Sequence, residues 1–553
     1  MVDIADRQKQ YRGGEHAVAD TFDYVVVGGG SGGCAVASRL SEDPNLSVAL
    51  LEAGGKGDNW VVTTPGALVL MVAGKVNNWA FDTVPQKGLN GRTGYQPRGK
   101  TLGGSSAINA MVYIRGHKSD YDHWAALGNT GWSYADVLPY FKRSEDNSEY
   151  DGEYHGKGGP LCVSRLQSDN PVHDIYLQAA RESQFRIRDD FNGEEQEGLG
   201  VYQVTQKNGE RWSAARGYIH PFIGTRKNLH VETGAHATSI IFEGKRAVGV
   251  KYRRGKELRE IRARREVILS LGAFQTPQLL MLSGVGDAEA LAKQGIASTH
   301  HLPGVGKNLQ DHPDFVFGFT SDAPYFAGLS FAGIGRILKG IVQYRRERRG
   351  SMTSNVAECG GFLKTRPDLD VPDIQLHFCT GMIEDHGRKP AWNRVGFSCH
   401  VCLLRPESRG SVWLQSADPM QAPAIDPNFF GEEADLDAMV AGFKTTRRLL
   451  DAPALKAIRT SDVFTDGIES DADIRKVLRE RVDTVYHPVG TCKMGVNDPM
   501  AVVDPTLKLH GLEGLRIADA SIMPTLIGGN TNAPAIMIGE KAADMIKAEM
   551  RAG

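Results

Sequence analysis

A glycine-rich turn between a strand and a helix, close to the start of the chain, constrains the fold more than any other feature. Residues 22–33 read FDYVVVGGGSGG, in which an apolar run leads into Gly28, Gly30 and Gly33 at G-x-G-x-x-G spacing. A small-residue helix, CAVASRLSE, follows, and a second apolar strand, SVALLEAG, contains Glu52 near its end. This order predicts a βαβ unit of a doubly wound α/β domain with a bound dinucleotide.

Each part of the unit has a physical task. Gly28 permits a tight turn, Gly30 lets the backbone approach a pyrophosphate, and Gly33 lets the helix pack closely on the strand. The helix N-terminus offers free N–H groups and the positive end of its dipole to the phosphates. Glu52 can accept hydrogen bonds from ribose hydroxyls. The motif alone fits NAD and FAD equally.

Two internal segments are also suited to a buried cofactor. Residues 99–109 read GKTLGGSSAIN, whose glycines and serines offer unhindered N–H groups and hydroxyls to a phosphate or to the edge of a ring. Residues 272–286 read GAFQTPQLLMLSGVG. In this second segment we predict that a helix begins at Thr276-Pro277 and ends at Ser283-Gly284.

The C-terminal region adds a strand and a helix. Residues 515–525 read LRIADASIMPT, where the strand ends in Asp519. This carboxylate can hydrogen-bond a polyol hydroxyl or cap a turn. Pro534 then opens a long amphipathic helix, whose positive N-terminal end can face an anion.

Together these segments resemble the glucose–methanol–choline (GMC) oxidoreductases, a family that binds FAD. Residues 99–122 and 272–286 match both of the long signature patterns of that family, and residues 22–55 and the C-terminal region match as well, so the resemblance covers the chain end to end. Segments such as QVTQKNGERWSAARGY at 203–218 and YHPVGTCKMG at 486–495 are similar to those of bacterial alkanol dehydrogenases.

The resemblance implies oxidation of a primary alcohol to an aldehyde, in which a base takes the hydroxyl proton while a hydride moves from the carbinol carbon to flavin N5. The family's catalytic histidine falls in the motif VYHPVGT, which assigns the general base to His487. The partner position is Asn530, whose amide N–H can donate to the developing alkoxide. Without the resemblance, a buried structural histidine and a turn asparagine are equally good interpretations.

The resemblance also implies where FAD binds. Ile108 stands where some members carry the histidine that attaches FAD covalently, so we expect a non-covalent cofactor. His312 is a further family-type position, which we interpret as structural. The residues expected to bind FAD are Gly28, Gly30, Ser31, Gly33, Glu52, Ala53, Gly99, Gly103, Gly104, Ser105, Asn109, Ala110, Ala237, Asp519, Ala520, Thr531 and Asn532.

The chain of 553 residues is too long for one core. Because the motifs alternate along it, we predict an FAD domain assembled from residues 21–130, 205–320 and 480–553. Residues 131–204 and 321–479 are predicted to form a substrate domain. The runs DIQLHF, VGFSCHVCLL and GSVWLQ predict a mainly antiparallel sheet there. The active site is expected where the domains meet.

Charge and composition exclude several other classes. A net charge of −2 and short basic runs do not indicate a nucleic-acid-binding surface. The longest basic run, RRERR at 345–349, predicts a solvated helix end. Seven scattered cysteines form no disulfide framework, which favours a reducing compartment. Cys399-His400-Val401-Cys402 lacks a second ligand pair, so no metal is expected. The polar N-terminus and the lack of a run of ~20 apolar residues predict a cytoplasmic protein, peripheral membrane contact at the inner face being left open.

Substrate and electron acceptor stay open at this point. The resemblance favours a small-molecule alcohol and a quinone or similar carrier over O₂. Glu358 could bind a trimethylammonium group and so indicate choline, but SNVAEC is shared with alkanol-type members. A non-redox lyase of the same fold, an NAD-dependent dehydrogenase and a nucleotide-binding scaffold are the remaining alternatives. The NAD enzyme would not need LRIADASIMP, and the scaffold would not need both His487 and Asn530.

Overall fold

The structure, a computed structural model, describes residues 21–326, 328, 330–382, 384–389, 392 and 394–552. The strands of its three larger sheets are β1 (Thr21–Val27), β2 (Val48–Glu52), β3 (Gly198–Val201), β4 (Leu229–Thr233), β5 (Ala235–Glu243), β6 (Arg246–Arg254), β7 (Glu257–Leu269), β8 (Lys307–Leu309), β9 (Pro313–Thr320), β10 (Ala357–Leu363), β11 (Ile374–Cys379), β12 (Gly396–Leu403), β13 (Gly410–Trp413), β14 (Ala424–Asp426), β15 (Ser461–Asp462), β16 (Asp483–Thr484) and β17 (Leu515–Ile517). Shorter strand pairs join Phe81–Asp82 to Tyr95–Gln96, Glu145–Asn147 to Leu161–Val163, Gln206–Lys207 to Glu210–Arg211 and Val285–Gly286 to His300–His301.

The helices lie between and around these strands. They are α1 (Ser31–Leu40), α2 (Trp60–Thr63), α3 (Leu68–Val72), α4 (Lys118–Ala126), α5 (Tyr134–Ser144), α6 (Val172–Glu182), α7 (Ala214–Tyr218), α8 (Gly272–Leu282), α9 (Ala288–Lys293), α10 (Phe331–Glu347), α11 (Glu433–Leu450), α12 (Pro453–Lys456), α13 (Asp471–Arg481) and α14 (Asn532–Ala552). The predicted α/β class is confirmed, with both parallel and antiparallel pairing present.

The first sheet contains the predicted βαβ unit. Its strand order is β4–β2–β1–β7–β6–β5, and β17 pairs with the end of β7. β1 pairs in parallel with β2 and β7, whereas β6 pairs antiparallel with β5 and β7. The carboxyl ends of β1, β2, β7 and β17 therefore meet at one edge of the sheet, which is where open α/β sheets bind their ligands.

Close packing brings two helix N-termini together at this edge. A Cβ on Gly33 would lie 2.0 Å from the carbonyl oxygen of Gly28, so only glycine lets α1 pack this tightly on its strand. A Cβ on Gly539 would lie 2.4 Å from the carbonyl oxygen of Gly32, so α14 packs equally closely on α1. The hydroxyl of Ser31 donates to Oδ1 of Asn532 at 2.8 Å, which joins the first turns of the two helices.

The second sheet is antiparallel and has the order β15–β9–β12–β11–β10–β3, with β16 also paired to β9. Its core is rich in aromatic side chains, such as Phe317, which packs on Phe443 of α11. The predicted strands DIQLHF and VGFSCHVCLL lie in it as β11 and β12. GSVWLQ does not: β13 joins β8 and β14 in a separate sheet, because Val412 is buried against Phe274 of α8.

Strand pairing crosses two of the predicted domain boundaries. β9 lies within 205–320 but pairs with β12 over seven residue pairs, so the structure places it in the second sheet. β16 lies within 480–553 and also pairs with β9. In the opposite direction, Val137 and Phe141 of α5, within 131–204, are buried in the core of the first sheet. The division into five segments stays a prediction.

The predicted start of α8 is wrong. The helix begins at Gly272, so Thr276 and Pro277 lie inside it. Asp519 accepts hydrogen bonds from the backbone N–H of Gly272 at 2.9 Å and from Oγ1 of Thr276 at 2.6 Å. The carboxylate that caps this helix therefore comes from the end of β17, far away in sequence, and the local pattern could not indicate it.

Pro277 is tolerated in the helix because another donor replaces its missing N–H. Without that N–H, the carbonyl of Ala273 has no partner in the next turn. Thr491 donates its hydroxyl to this oxygen at 2.6 Å, which also ties the loop after His487 to α8. The helix ends at Leu282 with Ser283 as its C-cap, as predicted.

The sequence Cys399-His400-Val401-Cys402, at which no metal is expected, lies on β12. The seven cysteines are buried free thiols, and Nδ1 of His400 lies 2.6 Å from Oδ2 of Asp314. In the part of the chain that the structure describes, no cluster of three or more His, Cys, Asp or Glu side chains is arranged to hold a metal ion. Within those same residues, none of the helices has the length and apolar run that crossing a bilayer demands.

Candidate active site

A deep cavity lies where the strand ends of the first sheet face the second sheet. Of the residues predicted to bind FAD, those that line it are Gly28, Gly30, Ser31, Glu52, Ala53, Gly99, Gly104, Ser105, Asn109, Ala110, Ala237, Asp519, Ala520, Thr531 and Asn532. The predicted catalytic residues His487 and Asn530 line the same cavity. Gly33 and Gly103 do not line it. Gly33 provides the close helix–strand packing, and Gly103 occupies a turn at φ 95°.

The N-terminus of α1 opens into one end of the cavity. Gly30 is the N-cap residue and no side chain caps the helix there, so the N–H groups of the first turn face the cavity wall. Residues 99–109, the glycine–serine loop, cover this end, because a Cβ on Gly104 would lie 2.7 Å from the Cα of Gly30. A narrow slot lined by backbone N–H groups is suited to a pyrophosphate.

Glu52 forms the wall beside this slot. Its side chain is buried and accepts hydrogen bonds from the N–H of Gly54 at 2.7 Å and of Gly29 at 3.0 Å. Burial raises the pKa of Glu52 to about 7, against the effect of these two backbone donors. The carboxyl is therefore fixed in orientation at the end of β2, where it can accept further hydrogen bonds from hydroxyl groups.

His487 lies at the other end of the cavity and is fixed on three sides. Its backbone N–H donates to Oδ1 of the buried Asp311 at 2.8 Å. Nδ1 of its ring lies 3.0 Å from Nδ1 of His312, and Nε2 lies 3.1 Å from Nδ2 of Asn530. The preceding Tyr486 has φ 75°, a left-handed conformation that is rare for a bulky residue and turns the chain sharply before the imidazole.

The hydrogen-bond partners of His312 determine which nitrogen of His487 carries the proton. Nε2 of His312 lies 3.1 Å from the carbonyl oxygen of Leu404 and 3.2 Å from that of Ile527, and since carbonyls only accept, this nitrogen is the protonated one. Burial lowers the pKa of His312 to about 3, so the ring is neutral and its Nδ1 is an acceptor. His487 must then donate from Nδ1, which leaves its Nε2 unprotonated, with the lone pair facing Asn530.

A second contact orients the amide of Asn530. Nε2 of Gln375, on β11, donates to Oδ1 of Asn530 at 3.0 Å. The amide oxygen is thereby turned toward Gln375, and the NH₂ group is turned toward the unprotonated Nε2 of His487. The pair thus presents a proton acceptor, Nε2 of His487, and a proton donor, Nδ2 of Asn530, to the same point in the cavity.

The surroundings keep His487 neutral. Burial lowers the pKa of His487 well below its ordinary value, and the nearby His312, His377 and Arg98 act in the same direction. A neutral imidazole is the form that can accept a proton. The arrangement therefore places a neutral imidazole nitrogen, which can accept a proton, beside an amide N–H, which can donate a hydrogen bond.

Sequence reasoning missed part of this arrangement. Gln375 stands in the run DIQLHF, which predicted only a strand, and no local signal indicates that its amide reaches Asn530. His312 was interpreted as structural, but its contact with His487 sets the tautomer of that imidazole. Asp311, beside His312 in LPGVGKNLQDHP, could have been noticed as an acidic neighbour of that histidine.

One part of the cavity wall is largely apolar. Its lining comes from Leu68, Val69 and Val72 of α3 together with Val356, Ala357, Cys379 and Val485. Among the described residues that line the cavity, the carboxylates are Glu52, the last residue of β2, and Asp519, which follows β17. Glu358 is fully buried behind this wall, where Oε2 lies 2.6 Å from Nε2 of His173 and accepts from Ser168 at 3.0 Å.

Two models of the GMC oxidoreductase family match the chain, one over residues 22–314 and the other over residues 406–539. The chain belongs to the GMC oxidoreductase family. This GMC oxidoreductase is 48% identical to alcohol dehydrogenase (acceptor) of Pseudomonas putida over 95% of each chain. It is 42% identical to the mitochondrial choline dehydrogenase of Homo sapiens over 96% of this chain and 90% of that relative.

A solved structure shows the same fold. The formate oxidase of Aspergillus oryzae RIB40, studied for its FAD modification, matches this GMC oxidoreductase with a TM-score of 0.88 at 28% identity, over 97% of this chain and 99% of that one. The agreement extends over nearly the whole of both chains. The family, the enzyme class and the fold thus agree with the expectations from the sequence.

Proposed function

We propose that this GMC oxidoreductase oxidises a primary alcohol to an aldehyde with FAD as its non-covalent cofactor, as an alcohol dehydrogenase. The observation that carries the proposal is the oriented pair of His487 and Asn530. The pair faces the same cavity as the glycine-rich turn at 28–33, here called the dinucleotide-type turn. The pair supplies a base and a donor for one oxygen atom, and the turn supplies the nucleotide site.

The residues of the cavity fit FAD. The uncapped N-terminus of α1 and the glycine–serine loop provide N–H groups for the pyrophosphate, and Glu52 provides an acceptor for the ribose hydroxyls. The N-terminus of α14, at Thr531 and Asn532, places a positive helix end at the cavity wall, where it favours an anionic ring. When bound, FAD supplies the acceptor for the hydride.

The side chains near His487 have separate tasks. Nε2 of His487 takes the hydroxyl proton, and Nδ2 of Asn530 donates to the oxygen as its negative charge develops. His312 keeps the lone pair of His487 on Nε2, because Nδ1 of His312 accepts a hydrogen bond from Nδ1–H of His487. Gln375 prevents the amide group of Asn530 from rotating by half a turn, which would exchange its oxygen and nitrogen.

The apolar wall favours an uncharged alcohol with an apolar chain. A trimethylammonium group needs a carboxylate or an aromatic cage to replace its water. Glu358, which the sequence left as a candidate for that role, is fully buried and does not line the cavity, and its Oε2 is already paired with His173 and Ser168. We therefore propose an alkanol-type substrate in preference to choline. From the resemblance to alkanol dehydrogenases we also propose a quinone or similar carrier as the electron acceptor, and peripheral contact to a membrane.

The proposal is tested with a panel of primary alkanols and choline, assayed with an artificial dye and separately with oxygen. We expect dye reduction that increases with the chain length of the alkanol and is lower with choline, and peroxide formation much slower than dye reduction. Peroxide formation at the rate of dye reduction would make the enzyme an oxidase. Choline as the best substrate would contradict the role given to the apolar wall.

The attachment of FAD gives a second test. Ile108, in the glycine–serine loop, is buried, lines the cavity and offers no nucleophile to the cofactor. Acid precipitation of the holoenzyme is therefore expected to release all of the flavin into the supernatant as FAD. Flavin that stays in the washed pellet would show a covalent bond elsewhere.

A further inference from the structure

The exposed apolar side chains of the molecule are unevenly distributed. Of the fifteen large apolar side chains that are exposed in the described part of the chain, nine lie in residues 69–76, in α10 or at Trp392. Single exposed apolar residues are normal, whereas a cluster marks an interaction surface. We call these nine side chains the apolar band.

Helix α10 presents its apolar face to the outside. Phe331, Ile334, Leu338 and Val342 recur at helical spacing and are 84%, 41%, 61% and 51% exposed, respectively. The ring of Phe331 contacts that of Trp392, itself 53% exposed, with 5.4 Å between centroids. An amphipathic helix normally turns this face to the core, so the orientation needs an external partner.

Basic side chains accompany the apolar face. Between residues 331 and 347 the helix carries Arg336, Lys339, Arg345 and Arg346, and its acidic residue is Glu347. The next two residues, Arg348 and Arg349, are also basic, although each pairs with a carboxylate, Glu210 and Asp169 respectively. An apolar face flanked by Lys and Arg is the pattern of a helix that lies in the interface of an anionic bilayer.

The apolar band adjoins the cavity. Leu68, Val69 and Val72 of α3 line the cavity, while Val69 and its neighbour Leu70 are 49% and 53% exposed. α10 packs on the turn 351–353, and that turn lies against the start of α3, since a Cβ on Gly66 would be 3.3 Å from the carbonyl oxygen of Met352. The exposed apolar surface thus continues from the cavity wall to α10.

We propose that the apolar band docks the protein on an anionic lipid bilayer, with α10 in the headgroup layer. The cations argue for lipid over a second copy of the chain, which would bring the same cations and no matching carboxylates. This docking deepens the proposed function. The docking itself does not depend on that function; only the uptake of alcohols and quinones from the bilayer rests on it. Apolar alcohols and quinones partition into bilayers, and the docked cavity would receive them from there.

The docking is tested by flotation of the holoenzyme with vesicles, without substrate. Vesicles of phosphatidylcholine with phosphatidylglycerol are compared with phosphatidylcholine alone. The wild type is expected to float with the anionic vesicles and to be released by salt. The variants Phe331→Ser/Leu338→Ser and Arg345→Glu/Arg346→Glu are each expected to lower the bound fraction about tenfold or more.

Matched variants away from the band control for general loss of apolar surface or charge. Leu258→Ser, at a side chain 65% exposed on β7, and Lys227→Glu/Lys256→Glu are expected to float like the wild type. Dye-linked turnover of a water-soluble alcohol, measured on each variant, shows that the variants are folded. If no alcohol is oxidised but vesicle binding is as expected, the proposed function fails and the docking surface stands.

Three results would overturn the docking surface. The wild type would stay unbound with anionic vesicles, or the band variants would float as well as the wild type. Alternatively, light scattering would show a stable dimer in solution that Phe331→Ser/Leu338→Ser dissociates, which would make a second copy the occupant of the band.

Discussion

Replacing His487 by alanine is expected to lower turnover by ~10²–10⁴-fold, the range typical for the loss of a general base. The unprotonated Nε2 of His487 faces Asn530, and the contact of Nδ1 with His312 keeps the lone pair on that Nε2. FAD content and thermal stability should change little, because the side chain of His487 contacts His312 and Asn530 rather than the glycine-rich turn at 28–33 or Glu52.

The measurement is steady-state turnover with an alkanol and a dye, together with the flavin-to-protein ratio of each preparation. His301→Ala, which removes an exposed imidazole, is the matched control and should retain wild-type turnover. If His487→Ala with flavin bound turns over like the wild type, the assignment of the base is wrong. His312 would then be the next candidate, since its ring contacts the same imidazole.

Replacing Asn530 by alanine is expected to lower kcat by ~10²–10³-fold, as for the loss of one donor to a developing oxyanion. The effect on KM should be smaller, because the hydrogen bond strengthens as the alkoxide forms. The double variant His487→Ala/Asn530→Ala should lose less than the product of the two single losses, since both side chains act on one oxygen. Losses that multiply would show that the two residues act independently.

Much of the fold could be predicted from the sequence because its elements are specified locally. The apolar run before Gly28 and the small residues after Gly33 predict a strand and a helix, and both are present as β1 and α1. What failed depended on contacts distant in sequence. The start of α8 is set by Asp519, and β13 leaves the second sheet because Val412 packs on α8.

The candidate site shows the same division. His487, Asn530 and the glycine-rich segments could be named because the resemblance to a family pointed to their motifs. The tautomer of His487 could not, since it depends on two carbonyl groups, of Leu404 and Ile527, that meet at His312 only in the folded chain. The role of Gln375 likewise depends on how β11 lies beside the N-terminus of α14.

Anaerobic mixing of the holoenzyme with a primary alkanol tests the central claim most directly. The visible absorbance of the flavin is followed with the unlabelled alcohol and with the alcohol deuterated at the carbinol carbon. We expect the flavin to bleach, more slowly with the deuterated alcohol, and to bleach at least ~10²-fold more slowly in His487→Ala. A flavin that stays oxidised with every alcohol, or that bleaches equally fast in His487→Ala, would contradict the account.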